Sequence, residues 1–286
     1  MTVKIKSFFD KETFSYSYVV SDPDSNAGVI IDSVLNYDAA SGKTSTASAD
    51  AVCEYASGNN IDVKYILETH VHADHLTASP YLQEKLGAKT AVGEGIKQVQ
   101  ETFAPVFNFE ESFKADGSQF DMLLQDGDEI KFGEAVIKVM HTPGHTPACV
   151  SYVVDDAIFV GDTLFMPDFG TARTDFPGGD AKILCASLRK ILAHPENTRL
   201  FMCHDYAPGG REYLNETTVA TQRKSNIHIH DGVSDDDFVK MREGRDKQLG
   251  MPKLILPAVQ VNMRAGHFPP EDENGIQYLK IPLNQF

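Results

Sequence analysis

The sequence predicts an α/β fold in which layers of strands and helices pack into a sandwich. Two observations predict it: strands meander through hairpins early in the chain, and strands alternate with helices further on. The chain has 286 residues, of which 42% are hydrophobic, and this is enough for a substantial buried core. We therefore expect a single domain over residues 1–286, with a core over about 1–206 and a C-terminal extension over about 207–286 packed on it.

The strands are predicted from short apolar or alternating runs, several of which pair across tight turns. The first hairpin joins Val3–Phe8 to Phe14–Val20 across an Asp-Lys-Glu turn at positions 10–12. Gly133-Glu134 and Asp155-Asp156 are the turns of two later hairpins. The other predicted strands are Ala27–Ile31, Val63–Leu67, Lys89–Val92, Glu129–Phe132, Val136–Met140, Cys149–Val154, Ala157–Val160 and Leu200–Cys203.

Helices are predicted where apolar residues recur at helical spacing, most clearly in Asp180–Leu192. Ser48 is a candidate N-cap for a helix that ends at Ala56. The segment 104–119, rich in Phe and acidic residues, is predicted to be a loop or lid, and the proline-containing tail after residue 248 has few regular signals. The other predicted helices are Ser79–Leu86, Glu94–Thr102, Val219–Asn226 and Asp235–Gln248.

Charge and composition narrow the class of protein. Asp and Glu number 41 against 26 Lys and Arg, and the formal charge of −15 argues against nucleic acid as a partner. The four cysteines lie far apart and form no C-x-x-C pair, so reduced thiols are expected. No apolar window reaches membrane-spanning length, and no signal core opens the chain. We expect a cytoplasmic protein without a membrane partner.

Metal-competent side chains concentrate directly after predicted strands. Thr-His-Val-His-Ala-Asp-His at positions 69–75 follows the strand Val63–Leu67 and offers three imidazoles and a carboxylate. His145, Asp162 and His204 each follow a further strand, in His-Thr-Pro-Gly-His-Thr, Gly-Asp-Thr and His-Asp-Tyr. Strand ends hold side chains rigidly yet leave them accessible, so we expect these residues to surround one metal site.

Other residues have simpler interpretations. Gly144 and Gly161 each precede a candidate ligand and suit tight turns. Isolated histidines are more often structural than ligands, and His141 is expected to support its turn. The histidines expected to be structural are His194, His228, His230 and His267.

The ordered motifs T-H-x-H-x-D-H, H-T-P-G-H-T, G-D-T and the final strand-end histidine resemble those of the metallo-β-lactamase superfamily. The resemblance implies an αββα sandwich of two mixed β-sheets flanked by helices, with the metal at one edge between the sheets. Two branches compete, glyoxalase II and persulfide dioxygenase. The G-x-x-R-T-D-F segment at 170–176, His204-Asp205-Tyr206 and the tail 256–266 resemble the dioxygenases, of a bacterial type with an extended C-terminus. Ala148 departs from the glycine that the family pattern leads us to expect before Cys149.

The dioxygenase resemblance implies one Fe(2+) per subunit, bound by His70, His145 and Asp162. Two imidazoles and one carboxylate leave positions open, which suits iron that activates O2. The remaining metal-competent residues would then surround the iron without binding a second metal. These residues are His72, Asp74, His75 and His204. In the hydrolases, His72 would join the first metal, and the other three would hold a second metal. Residue identity alone leaves both possibilities open.

The implied reaction oxidises glutathione persulfide with O2 and water to sulfite and glutathione; the alternative is hydrolysis of a hydroxyacylglutathione. Tyr206 is expected to hydrogen-bond the substrate, while Arg173 and Asp175 are expected to pair beneath the site, either in catalysis or as a structural salt bridge. Glutathione carries two carboxylates, which require cationic partners. The candidates are Arg211, Arg223, Lys224 and Arg264. A rhodanese-type sulfurtransferase partner and a homodimer are also expected.

Overall fold

A computed structural model describes residues 2–285 and confirms the predicted sandwich of two mixed β-sheets flanked by helices. The strands are β1 (Lys4–Asp10), β2 (Ser15–Ser21), β3 (Ala27–Ile31), β4 (Asn36–Asp38), β5 (Lys43–Ser45), β6 (Asp62–Leu67), β7 (Lys89–Gly93), β8 (Met122–Leu124), β9 (Glu129–Phe132), β10 (Ala135–His141), β11 (Val150–Val154), β12 (Ala157–Phe159), β13 (Arg199–Phe201) and β14 (Glu216–Thr218). The helices are α1 (Ala47–Gly58), α2 (Ser79–Leu86), α3 (Ile96–Val106), α4 (Ala181–Leu192), α5 (Val219–Ser225), α6 (Asp235–Asp246) and α7 (Ile255–Asn262).

The first sheet has the strand order β1-β2-β3-β6-β7-β8 and the second β14-β13-β12-β11-β10-β9. In the first sheet β1 to β3 pair antiparallel, whereas β3, β6, β7 and β8 pair parallel. In the second sheet only β12 and β13 pair parallel. Every residue of β2 and β3 is buried, as expected for strands covered on both faces.

Three apolar layers hold the sandwich together. Between the sheets, Tyr18 and Ile31 of the first sheet pack in one cluster with Tyr152 and Phe159 of the second. Outside the first sheet, α1 and α2 cover its outer face, and outside the second sheet α4 does the same. Burial of these apolar side chains is the main stabilising contribution to such a fold, about 1.5–3 kcal/mol for each large side chain.

Several local predictions were wrong because tertiary contacts decided the outcome. Ser48 is not the N-cap of α1, which begins one residue earlier at Ala47. Instead its hydroxyl donates to Oδ2 of Asp10 at 2.8 Å, and its backbone N–H donates to Oδ1 of Asn36 at 2.9 Å. Four strands of three residues each, too short to show a pattern, were missed, namely β4, β5, β8 and β14.

The tail predicted to lack regular structure contains the largely buried helix α7. Pro257 lies in its first turn, where a missing N–H costs no intrahelical hydrogen bond. The predicted lid 104–119 begins inside α3, which runs to Val106, and continues as a loop. The division into a core and a packed extension stays a prediction. None of the helices described within residues 2–285 is both long enough and apolar enough to cross a membrane.

Candidate metal centre

Four loops meet at one edge of the sandwich, and each follows a strand. They come after β6, β10, β12 and β13, and they bring all seven metal-competent side chains predicted from the sequence into one group. Six are buried and Asp74 is half-buried. The group is His70, His72, Asp74, His75, His145, Asp162 and His204.

One cluster within this group consists of His70, His145 and Asp162. Oδ2 of Asp162 lies 3.6 Å from Nε2 of His70 and 3.8 Å from Nε2 of His145. The three candidate ligand atoms all lie within 4.8 Å of one another. Two imidazoles and a carboxylate around one point form a compact, buried set of three donors.

A second cluster shares Asp162. Its Oδ1 lies 3.2 Å from Nε2 of His204, and that nitrogen lies 3.2 Å from Oδ2 of Asp74. His75 lies beside His204, with the two ring centroids 5.8 Å apart. Cys203 also lies here, because its thiol is within 4.8 Å of a nitrogen of His75 and of His204.

The donor atoms at the centre fit a metal ion. Within residues 2–285 several of them are buried and make no hydrogen bond of acceptable geometry, although Nε2 of His204 lies 3.2 Å from Oδ1 of Asp162: Nε2 of His70, His75 and His204, Nδ1 of His72 and Oδ1 of Asp162. A buried polar atom without a partner costs about 1–3 kcal/mol. Five such atoms in one place would strongly lower the free energy of unfolding, and a bound cation would give them a partner.

Two buried carboxylates that sequence reasoning missed hold His72. Its Nε2 lies 3.2 Å from Oδ1 of Asp32 and 3.2 Å from Oε2 of Glu68. Burial disfavours a charge on this imidazole, but the attraction of Asp32 and Glu68 outweighs burial and holds the pKa of His72 well above its ordinary value. Asp32 also accepts hydrogen bonds from the backbone N–H and the hydroxyl of Thr69 at 2.7 and 2.9 Å. It therefore fixes the start of the loop that follows β6.

Backbone and hydroxyl contacts orient the other rings. Nδ1 of His145 donates to the backbone carbonyl of Arg173 at 2.8 Å, which leaves Nε2 free to face the centre. Nδ1 of His70 lies 3.0 Å from the hydroxyl of Thr69, and Nδ1 of His204 lies 3.3 Å from that of Ser15. Each ring thus contacts a neighbour through Nδ1 and turns Nε2 towards the centre.

Electrostatics at His145 and Asp162 favour the protonation states that metal binding requires. Burial and the neighbouring His70 lower the pKa of His145 to about 4, so this ring is neutral at pH 7. Burial would raise the pKa of Asp162, but His204 and His70 outweigh burial and hold it well below its ordinary value. A neutral imidazole and an ionised carboxylate are the forms that bind metal.

Both glycines predicted for tight turns are required by close packing. Gly144 has a φ of 127°, and a Cβ there would lie 2.3 Å from the backbone nitrogen of Leu184. Gly161 has a φ of 54°, and a Cβ would lie 2.5 Å from Oγ1 of Thr69. A larger residue at 144 would push the loop of His145 away from α4, and one at 161 would push the loop of Asp162 away from the loop that carries His70.

A cleft of about 1040 Å³ opens onto the centre, and Asp74, His145 and Asp162 line it. Aromatic side chains form part of its wall, including Phe165, Phe169 and Tyr206. The ring of Tyr206 stacks on that of His204 at a centroid distance of 5.8 Å. Desolvation of the phenol in the cleft and the nearby carboxylates of Asp74 and Asp162 raise its pKa, so it stays a hydrogen-bond donor although the residue is 36% exposed. The β4–β5 hairpin and the linker between α6 and α7 complete the cleft.

Arg173 and Asp175 form the predicted pair at this cleft. Nε and Nη2 of Arg173 donate to the two carboxylate oxygens of Asp175 at 2.6 and 2.7 Å. Nη1 donates to the carbonyl of Gly250 at 2.7 Å, and the guanidinium lies 4.8 Å from the ring centroid of Phe176. The side chain therefore joins the G-x-x-R-T-D-F segment to the α6–α7 linker.

The basic residues predicted to bind substrate lie outside the lining of the cleft. Arg211 pairs with Asp205 and Asp168, and Arg223 pairs with Asp231 on the surface. Arg264 pairs with Glu110 and stacks 4.0 Å from the ring centroid of Phe109. Other cations line the cleft, and they were missed because they come from segments without a motif: Lys43, Arg242, Arg245 and Lys253.

Comparison with known proteins agrees with the motifs and the geometry. The sequence profile of the metallo-beta-lactamase superfamily matches residues 10–204. The chain belongs to the metallo-beta-lactamase superfamily. The relatives of this superfamily member differ in their named activities. It is 52% identical to a probable metallo-hydrolase of Burkholderia pseudomallei, over 98% of this chain and 99% of that one. It is 50% identical to glyoxylase B2 of Dictyostelium discoideum, over 98% of this chain and 97% of that one.

Similarity extends to persulfide dioxygenases. The chain is 31% identical to the mitochondrial persulfide dioxygenase ETHE1 of Bos taurus, over 92% of this chain and 89% of that one. The crystal structure of ETHE1 from Myxococcus xanthus superposes with a TM-score of 0.73 at 29% identity, over 92% of this chain and all of that one. The recognition of the superfamily, with persulfide dioxygenases among its relatives, is therefore confirmed.

Proposed function

We propose that this protein is a persulfide dioxygenase. It oxidises glutathione persulfide with one O2 and one water to sulfite and glutathione, and the two oxygen atoms of O2 enter the sulfite. The observation that carries the proposal is the buried cluster of His70, His145 and Asp162 at the inner end of a cleft. Two imidazoles and one carboxylate with open positions are typical of ferrous sites that use O2. The likeness to proteins named persulfide dioxygenase supports it.

His70, His145 and Asp162 would hold one ferrous ion per chain, and the ion would supply the redox chemistry that O2 requires. The chain's own residues orient the reactants. The hydrogen bond from His145 to the carbonyl of Arg173 keeps the ring aimed at the centre. Tyr206 lines the cleft with a protonated phenol and donates to the oxidised sulfur. The aromatic wall of the cleft limits the access of water to the persulfide.

Arg245 and Lys253 bind the glutathione carboxylates. Both line the cleft, and neither has a carboxylate within 4.0 Å among residues 2–285, so both are available to a ligand. Arg173 and Arg242 also line it, but Asp175 and Asp246 already occupy their guanidinium groups. Charge-assisted hydrogen bonds to carboxylates are the strong ones, and a tripeptide with two carboxylates needs two such partners.

A binuclear glyoxalase II-type hydrolase is the second candidate function. The observation that favours it is the second cluster, in which Nε2 of His75 and of His204 are buried without a partner. A second metal held there would satisfy both atoms. The likeness to a protein named glyoxylase B2 also favours it.

Metal content and oxygen uptake separate the two functions. The purified protein is assayed for metals per chain by elemental analysis, then for O2 consumption with glutathione persulfide and for cleavage of S-lactoylglutathione. One iron per chain with O2 consumption and sulfite formation is expected. Two metals per chain with thioester cleavage and no O2 consumption would overturn the proposal in favour of the hydrolase.

The protein's surroundings follow from the same proposal. Because persulfides are short-lived, a sulfurtransferase of the rhodanese type in the cytoplasm supplies the substrate. As a separate point, the enzyme works as a homodimer. Light scattering of the purified protein tests the dimer. A coupled assay with a rhodanese, thiosulfate and glutathione tests the supply. The rhodanese step converts thiosulfate and glutathione to one sulfite and glutathione persulfide, so this protein should then consume one O2 and release a second sulfite without added persulfide.

A further inference from the structure

One buried side chain of α7 contacts the metal-binding loop at three backbone atoms. Nδ2 of Asn262 donates to the carbonyls of His72 and His75, both at 2.8 Å, and the first of these lies 190 residues earlier in the chain. Oδ1 of Asn262 accepts the backbone N–H of Thr77 at 2.9 Å. The side-chain amide of Asn262 therefore bonds to the loop through both its nitrogen and its oxygen.

The loop needs such a contact because it has no regular structure of its own. Residues 68–78 contain neither helix nor strand, although His70, Asp74 and His75 all lie within them. In a helix or sheet the backbone polar groups would bond to one another. In this loop three of them bond instead to a side chain from a distant element, Asn262 of α7. Asn262 is itself 3% exposed, so water cannot replace it easily.

We infer that Asn262 is the positioning residue of the metal centre, which sets metal affinity by fixing the backbone path from His72 to Thr77. It does not bind the metal. In a binuclear centre it holds the segment that carries Asp74 and His75, and in a mononuclear centre it acts on His70, which precedes the anchored carbonyl of His72 by two residues. Residues beyond the ligands that orient them typically change metal affinity about 10- to 100-fold when replaced. The C-terminal segment, outside residues 10–204 of the superfamily match, thereby contributes to the site.

Asn262→Asp is the sharpest test. The substitution keeps the shape of the side chain and the acceptor for Thr77, but it puts a carboxylate oxygen against the carbonyls of His72 and His75. We expect the folded variant to bind Zn(2+) about 10- to 100-fold more weakly than the wild type in competition with a chelator. Its bound metal should also pass to excess chelator correspondingly faster. Asn262→Ala, which removes all three bonds, should behave alike.

Gln260→Leu is the matched control. Gln260 is a second buried amide of α7, and it ties the chain end instead, donating to the carbonyls of Leu256 and Lys280 and accepting from the N–H of Lys280. If α7 had only a structural role, substitutions of Asn262 and of Gln260 would both lower the melting temperature of the metal-free protein. Neither would then change its affinity for Zn(2+). Unchanged affinity in folded Asn262→Asp and Asn262→Ala proteins, or an equal loss in Gln260→Leu, overturns the inference.

Discussion

Asp162 connects both clusters of the metal centre, because its Oδ1 lies 3.2 Å from Nε2 of His204 while its Oδ2 faces His70 and His145. One carboxylate thus offers a ligand to a first metal and also the bridge that a second metal would use. The two candidate functions differ in whether Oδ1 of Asp162 binds a second metal. Substitutions of Asp162 itself and of His204, which faces Oδ1, therefore separate them.

Asp162→Ala should reduce bound metal below about a tenth of the wild-type content, because it removes one of three ligands from the first cluster. His204→Ala should leave one iron per chain if the enzyme is mononuclear. Elemental analysis of the purified variants measures both. His141→Ala is the control, since His141 lies in the same His-Thr-Pro-Gly-His motif but is exposed.

Two results would contradict these assignments. Full metal content in Asp162→Ala would remove Asp162 from the ligand set. A fall from two metals to one in His204→Ala would show a binuclear centre and favour the hydrolase.

Arg173 and Asp175 should act as one unit in substrate binding. Arg173→Gln and Asp175→Asn each break the same bidentate pair, whose arginine lines the cleft and donates to the carbonyl of Gly250. We expect each to raise KM for glutathione persulfide about tenfold, which is about 1.4 kcal/mol, and the double variant to do no more than either single one. Metal content should not change, since it is the backbone carbonyl of Arg173 that holds His145.

The pair of Arg199 and Asp156 provides the control for this comparison of single and double variants. It is also bidentate, at 2.8 and 3.0 Å, but it joins the ends of β12 and β13 away from the cleft. Arg199→Gln should leave KM unchanged. Additive effects of the two cleft substitutions would indicate that Arg173 and Asp175 contact the substrate separately.

Arg245→Ala and Lys253→Ala should weaken binding of the glutathione part without slowing the chemical step. Each removes one exposed cation from the cleft, so KM should rise about tenfold for each, with kcat nearly unchanged. The effect should shrink with rising ionic strength. Steady-state O2 uptake against persulfide concentration measures both constants.

Arg223→Ala is the matched control for these cations. Arg223 was predicted from the sequence as a substrate partner, but it pairs with Asp231 on the surface and does not line the cleft. An unchanged KM is expected. A rise in KM for Arg223→Ala, with none for Arg245→Ala, would reverse the assignment of the glutathione site.

The success and failure of the sequence predictions have a common physical origin. The metal-competent residues were found because each follows an apolar strand, and such strands can be recognised from a few neighbouring residues. Asp32 and Glu68 were missed because a lone carboxylate after a strand has no local signal for burial. Asn262 was missed for the same reason, since its partner His72 lies 190 residues away. Spacing in the sequence predicts the ligands, but long-range packing determines what holds them.

His228 should make the stability of the protein depend on pH. Its Nδ1 accepts the backbone N–H of Thr171 at 3.0 Å, so the ring can take up a proton there only by breaking that bond. Burial, and then the positive charges of Arg242 and Arg245, lower its pKa to about 4, while Asp246 opposes them weakly. The native ring therefore stays neutral at a pH where the same ring in the unfolded chain is charged.

Between an ordinary pKa of about 6.5 and the native value of about 4, the unfolded chain binds a proton that the native state does not. The free energy of unfolding should therefore fall as the pH falls through this window, by on the order of 1 kcal/mol at pH 5 relative to pH 7. His228→Asn keeps an acceptor for Thr171 but does not titrate, so its stability should depend less steeply on pH. Urea unfolding at pH 5 and pH 7 measures the difference, with His141→Asn as an exposed control. Equal pH dependence in the wild type and His228→Asn would show that this ring is not the titrating group.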